Sequence, residues 1–417
     1  MRRCLILILI SGMIFPEISY ACTSAIIPGW ATSDGRPLLW KHRDTGNLDN
    51  RLEHFKGEKY NFIGLVNSLQ GSRGNEVWIG CNTAGFSIMN TASYCLKNDS
   101  VPDEYMDMEG VLMYRALEIC ASLSDFEHYL DTLSRPMGVE ANFGCIDAFG
   151  GAAYYETWND GYVKRNVDEF PEGYCVVTNF SIHGRKDDWK GYERFVTASD
   201  IIERQVKIEN RFTDLSPLVI MDSLSRSYEH KILGINLADK SDSFLSGTSG
   251  IAVDQDFIPR RSTSASVVIH GVRKGESADK TVIWTALGYP SCAVMIPVPL
   301  SAEDTIPECM KKSVGSVNCQ ACDLSLYIKD SYIFNLHRMS NGYSYMNMRH
   351  ILKGEMGRPS LLECSRKAER NISDQFSVLY DRYINGNIGY DGYIEGYKLI
   401  SKDFMRIIEN SFVAYQK

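Results

Sequence analysis

Two short stretches decide the reading of this chain: Cys22-Thr23-Ser24-Ala25-Ile26-Ile27 and, after an Asp34-Gly35 turn, Arg36-Pro37-Leu38-Leu39-Trp40-Lys41-His42-Arg43-Asp44. Each holds a strand-like apolar run, Thr23–Ile27 and Pro37–Lys41, bounded by turn residues, with Lys41-His42-Arg43-Asp44 at the end of the second. What precedes them gives Cys22 its interest. Arg2 and Arg3 form a basic n-region, and Cys4 to Phe15 is an apolar stretch of secretory length. Pro16 breaks it, and Ser19-Tyr20-Ala21 places small residues at the two positions a signal peptidase reads. Residues 1–21 are therefore expected to be a signal peptide, cleaved after Ala21. Cys22 then becomes the first residue, and the formal charge moves from −8 to −9.

Composition bounds the rest. The 417 residues are 44% hydrophobic, 23% charged and 11% aromatic, which excludes a disordered or collagen-like chain. The longest apolar run is too short to span a bilayer. The charge balance is acidic and no dense Lys/Arg block occurs, so nucleic acid is not an expected partner. Without Cys4 eleven cysteines remain, an odd number, and an exported chain would bridge some of them. Cys319-Gln-Ala-Cys322 is a lone pair of thiols without a second pair or a His at finger spacing, so no metal is expected, and no cofactor motif is present.

Further strand-like runs lie at Phe62–Val66, Val77–Gly80 and Gly85–Met89. The period then changes. Leu112, Met113, Ala116, Leu117 and Cys120 recur at helical spacing, and Ser124-x-x-Glu127 reads as a capping box for a second helix. Strands return at 142–147 and 152–157 through Gly150-Gly151, and at 174–179. Helices follow at about 193–207 and 217–229, and strands at 264–272, 281–286 and 293–298. Blocks of sheet alternating with helix pairs predict a layered α+β domain over 22–300, two antiparallel sheets covered by helices. Residues 301–417 read as a mainly helical C-terminal extension, with one helix opening at Pro359 and a last one over about 391–415.

A Cys at a free N-terminus carries a thiol and an α-amine on one residue, a complete nucleophile and base. The amine has a reference pKa of about 7.7–8.0, close to the optimum for proton transfer at neutral pH. Such a site still needs an oxyanion hole, a group to hold the amine, and a pocket. Lys41-His42-Arg43-Asp44 offers a carboxylate for the amine. Asn82-Thr83-Ala84-Gly85-Phe86 through Asn90, and Thr178-Asn179, offer neutral amide donors at strand ends. His42 reads as a strand residue, and Ser249 in Gly247-Thr248-Ser249-Gly250 lacks the spacing of a nucleophile elbow.

In this order the segments resemble the N-terminal-nucleophile hydrolases of the choloylglycine hydrolase and penicillin acyltransferase group. Cys22-Thr23 with Lys41 to Asp44 is similar to that group's opening. Asn82 to Asn90, Thr178-Asn179 and Glu193-Arg194-Phe195 resemble its later elements, and Asn142 to Asp147 with Glu156 a strand pair of its acyltransferase branch. The likeness covers about residues 22–300. It implies a four-layer αββα sandwich and cleavage of linear amide bonds through an acyl-enzyme, with acyl transfer to an amine also open. By the same resemblance Cys22 is the nucleophile, Asp44 the partner of its amine, Asn90 and Asn179 the oxyanion and orienting donors, and Arg194 a site-organising cation. Lys41 and Asn82 would meet substrate. Lys41 stands where bile-salt hydrolases of the group have Arg, and Lys cannot make the same forked contacts, which weighs against bile salts. Phe180 stands where many acyltransferase-like members have His. The implied partner is a small-molecule amide, and oligomers are compatible. The alternative is a non-catalytic exported binding protein or an envelope lipoprotein anchored through Cys22, although Ser19 and Tyr20 match a lipidation signal poorly.

Overall fold

The computed structural model describes residues 21–69, 74–206, 215–239, 250–254, 256–336 and 344–416. The expected signal peptide, the Ser249 segment and part of the 239–260 loop lie outside the described residues.

In chain order the first strands are β1 (Cys22–Ile27), β2 (Leu38–Asp44), β3 (Asn50–Phe55), β4 (Phe62–Asn67), β5 (Ile79–Asn82) and β6 (Ser87–Ala92). Helices α1 (Glu109–Ile119) and α2 (Leu123–Thr132) follow, then β7 (Ala141–Ile146), β8 (Ala152–Trp158), β9 (Gly161–Asn166) and β10 (Cys175–Val177). Next come α3 (Tyr192–Val206), α4 (Pro217–Ile220), the short β11 (Glu229–His230), β12 (Ile235–Asn236) and β13 (Ile251–Val253), and the longer β14 (Thr263–His270), β15 (Val282–Leu287) and β16 (Ile296–Pro299). The last part holds α5 (Gln320–Ile328), β17 (Tyr345–Asn347), α6 (Met348–Leu352), α7 (Leu361–Ile384), α8 (Tyr390–Ile400) and α9 (Phe404–Ser411).

Two antiparallel sheets dominate. One is a seven-stranded meander, β3 to β9 in sequence order; the other has six strands in the order β10-β1-β2-β14-β15-β16. Period-two alternation gives each sheet two apolar faces. In the seven-stranded sheet Ile63, Leu65, Met89 and Tyr154 point into the core shared with the six-stranded sheet. Their neighbours Phe62, Val66, Ile88 and Tyr155 point the other way, against Leu112, Met113, Ala116, Phe126 and Leu130 of α1 and α2. The far face of the six-stranded sheet is covered by Ala198, Ile201 and Ile202 of α3, Ile220 of α4 and Phe376 of α7. The result is an α+β sandwich of four layers, helix–sheet–sheet–helix, with the C-terminal helices completing the outer layer on the six-stranded sheet.

Several local expectations shift. The capping box of α2 is Ser122 with Asp125, not Ser124 with Glu127: Ser122 Oγ accepts from Asp125 N and the Asp125 carboxylate from Ser122 N. The helix expected over 217–229 is α4 and one π-turn ending at Ser225. The last helix is broken at Ser401–Asp403 into α8 and α9. The eleven cysteines from Cys22 onward are all free thiols, so the expected bridges do not form.

Candidate active site

Cys22 opens β1 between β10 and β2, with Ser24 opposite Val177 on one side and Cys22 opposite Arg43 on the other. Alternation sends Cys22, Lys41 and Arg43 toward the seven-stranded sheet and His42 and Asp44 toward the α3 side. Below the site Ser24 Oγ meets Tyr154 OH at 3.0 Å, which ties the two sheets together.

The nitrogen of Cys22 is held by a buried knot. It donates to Asn179 Oδ1 at 2.9 Å. Arg194, in the first turn of α3, donates through Nη2 to the same Oδ1 at 2.9 Å and through Nη1 to Cys22 O at 2.7 Å and Thr23 Oγ1 at 2.8 Å. The amide nitrogen of Asn179 donates to Ala92 O at 2.9 Å, at the end of β6. Two donors at one atom and a carbonyl at the other fix the orientation of this carboxamide. Gly191 (φ +80°) makes room for the fork, since a Cβ there would collide with Arg194 Nη2. Burial and the nearby Arg260 lower the Arg194 pKa to about 10, which leaves it cationic at neutral pH.

Asp44 turns away from the cavity side. Its Oδ1 accepts from Thr263 Oγ1 at 2.7 Å and its Oδ2 lies 3.1 Å from Arg260 Nε. Burial raises its pKa to about 6 against the pull of Arg260 and Arg194. What approaches the Cys22 thiol is the Asp44 carbonyl, 4.0 Å from Sγ. His42 is buried beside it, with Nε2 at 3.1 Å from Thr263 Oγ1. Burial, with Arg260 and Arg194 adding, lowers its pKa to about 3, so it stays neutral.

Cys22 also lines a cavity of about 620 Å³ with Lys41, Arg43, Trp78, Asn90 and Glu109 in its walls. Lys41 Nζ donates to Trp78 O and to Asn90 Oδ1, both at 2.7 Å. Asn90 lines the cavity, and among the described residues its amide nitrogen makes no hydrogen bond. Arg43 lies over the Trp78 ring at 4.8 Å and donates to Asn50 and Asn67. Burial raises the Glu109 pKa to about 7 although its carboxylate accepts from Glu140 N.

Of the seven residues singled out from the sequence, Cys22, Asn179 and Arg194 form the knot, and Lys41 and Asn90 join Cys22 in the cavity wall. Asp44 lines the cavity but commits its carboxylate to Thr263 and Arg260. Asn82 stands apart. It is fully buried, accepts from Ala84 N and Phe86 N, and donates to Leu117 O and Cys120 O. It pins the β5–β6 turn to the end of α1 and does not reach the cavity, which corrects the expected substrate contact. Trp78, Glu109, Thr263 and Arg260 were not singled out. Trp78 and Thr263 lie in or beside strand-like runs, and nothing local marks them; their roles arise from partners far away in the chain.

No protein-family model matches the chain, and no curated protein matches it. Solved structures similar to it include an N-acylethanolamine-hydrolyzing acid amidase ortholog from Caenorhabditis elegans (15% identity, 62% of this chain and 96% of that one, TM-score 0.37). A variant of conjugated bile acid hydrolase from Clostridium perfringens is also similar (10% identity, 68% and 94%, TM-score 0.41). So is penicillin V acylase from Agrobacterium tumefaciens (13% identity, 67% and 86%, TM-score 0.36).

Proposed function

We propose that the chain is an exported hydrolase of linear amide C–N bonds, with Cys22 as nucleophile after cleavage at Ala21–Cys22. The observation that carries this reading is the knot at the Cys22 nitrogen: Asn179 Oδ1 and Arg194 hold it in the wall of a cavity that its own thiol lines. A buried strand nitrogen needs one acceptor; here that acceptor is a side chain whose carboxamide is itself fixed by Arg194 and Ala92 O, beside a thiol in a cavity wall.

Once freed, the α-amine would keep its bond to Asn179 Oδ1. The Arg194 guanidinium on the same oxygen disfavours a second positive charge, which keeps the amine available as a base. The amine serves as proton shuttle while the thiolate attacks the amide carbon. The C–S bond forms, the carbonyl pair moves to oxygen, and collapse expels the amine with a proton. Water then releases the acyl group, or an amine takes it. The Asn90 amide nitrogen is the neutral donor in the cavity wall for the oxyanion, whereas Asn179, with its nitrogen on Ala92 O, acts through the amine. Asp44 with Arg260 supports the strand end that carries Lys41 and Arg43.

The test is a panel of N-acylethanolamines, N-acyl amino acids, penicillin V and conjugated bile acids with the processed protein and its Cys22→Ala variant. Turnover of at least one class, abolished in the variant, is expected. Intact mass of the exported protein checks the rest: a lipid on Cys22 would remove both nucleophile and base and overturn this reading.

A further inference from the structure

Lys41 is 1% exposed, yet it faces two neutral oxygens and no carboxylate within ion-pair distance among the described residues. Trp78 O and Asn90 Oδ1 take two N–H bonds. A neutral amine has two N–H groups and one lone pair; an ammonium has three N–H groups. The two acceptors therefore satisfy the neutral form fully and leave one position on Nζ open. Register places Lys41 near Cys22. Ser24 pairs with Lys41 and Cys22 with Arg43, so Lys41 is the diagonal neighbour of Cys22 on the same face. Diagonal neighbours stand about 7–8 Å apart at the backbone, within reach of a lysine. Both residues line the same cavity.

The charges around Lys41 come from several elements. Burial lowers its pKa to about 7; Cys22 of β1 and Glu109 of α1 act to raise it, and Arg43 of β2 to lower it. Asp44, Glu76, Lys97, Asp103, Asp107 and Glu140 also line the cavity. The β6 residue that meets it, Asn90, is neutral, as is its β14 partner Val267.

We propose that Lys41 is a catalytic proton acceptor for Cys22: the thiol proton passes from Sγ to Nζ and leaves a thiolate–ammonium pair. No electrons are gained or lost, one S–H bond breaks, and one N–H bond forms. The proposal rests on the reading of Cys22 as nucleophile and divides the proton work. Lys41 arms the thiol, and the α-amine freed by cleavage serves the departing amine and the incoming water. Arming would then precede cleavage, in a chain whose Cys22 nitrogen is still a peptide N–H.

The experiment labels Cys22 with iodoacetamide from pH 5 to 10 in the chain that retains Ala21, read by peptide mass spectrometry. The unmodified sequence is expected to label in two pH steps, as a pair sharing one proton does. Lys41→Met should label at least tenfold more slowly at pH 7. Lys41→Arg, which never releases its proton, should show one step. Glu109→Gln should keep both steps. A folded Lys41→Met variant that labels like the parent overturns the proposal. If Lys41→Met does not fold, Lys41→Arg decides, and a two-step profile there overturns it. Labelling needs no amide substrate. An intact Lys41 effect in a chain inactive on every amide would support the pair and overturn the amidase reading alone.

Discussion

At the scale of single residues, Asn179 has the most telling position, because its carboxamide oxygen serves the Cys22 nitrogen and Arg194 together. Asn179→Ala removes the acceptor and should lower kcat/KM by on the order of 10². Asn179→Asp keeps an acceptor but sets a negative charge beside the amine. That charge favours the protonated amine, so the acidic limb of the kcat/KM profile should move up by about one pH unit or more. Profiles of the two variants, with thermal unfolding measured alongside, separate this from a strand end: lower melting temperatures with unshifted profiles would take Asn179 out of the site.

Glu109 makes a second residue-scale prediction. Its pKa is raised by burial from 4.5 to about 7. Between these values the folded chain binds more protons than the unfolded one, so stability falls as pH rises through that window. Glu109→Gln should abolish this slope, a difference on the order of 3 kcal/mol between pH 4 and pH 8 at about 1.4 kcal/mol per unit. Denaturant unfolding of parent and variant at both pH values measures it; the Asp44 contribution runs the same way and cancels in the comparison. Much of this scale was legible in advance. Cys22, Asn179 and Arg194 stand in ordered segments around one strand pair, and the structure brings them together. Asn82 misled because a turn Asn beside a glycine reads alike whether its amide faces a cavity or, as here, the end of a helix.

At the scale of elements, strands were legible wherever apolar runs were bounded by turns, as in β1, β2, β4 and β14. β3 and β9 were missed. Asn50-Arg51-Leu52-Glu53-His54-Phe55 and Gly161-Tyr162-Val163-Lys164-Arg165-Asn166 carry too many polar side chains, being the two edge strands of their sheet. The helix expected through 229 stops early because Arg226 is drawn inside. Its guanidinium donates to Pro290 O and Ala293 O and pairs with Glu369 of α7 at 2.7 and 2.9 Å. Glu369 also accepts from Met295 N, just before β16. Glu369→Ala leaves a buried cation half-paired and should cost about 3–5 kcal/mol in denaturant unfolding. A loss below about 1 kcal/mol would mean that Asp222, which also meets Arg226, carries the charge alone.

At the scale of the whole molecule, alternation alone foretold two sheets with helices on them, because each face had to be covered. It did not tell what covers β15 and β16, and there residues 301–417 matter. Trp284 of β15 packs edge-on to Phe376 of α7 at 5.7 Å, and Tyr397 OH of α8 donates to Pro297 O of β16 at 2.5 Å. Tyr380 OH donates to Lys280 O, and Ser325 of α5 receives Tyr289 N. Leu361, Ala368, Ile372, Tyr393 and Phe404 are buried in the same core as the sheet. A chain ended after Leu300 would therefore open this face of the six-stranded sheet to water, at about 1.5–3 kcal/mol for each large side chain uncovered. A handful of such side chains already matches the whole stability of an ordinary domain, about 5–15 kcal/mol. Residues 22–300 alone should be insoluble, or lack near-ultraviolet dichroism and bind a hydrophobic dye. Supplying 301–417 as a separate chain should restore some native signal, since the buried face would again have its cover. A soluble 22–300 fragment with one sharp unfolding transition would instead make the helical segment an appended unit and the sandwich complete without it.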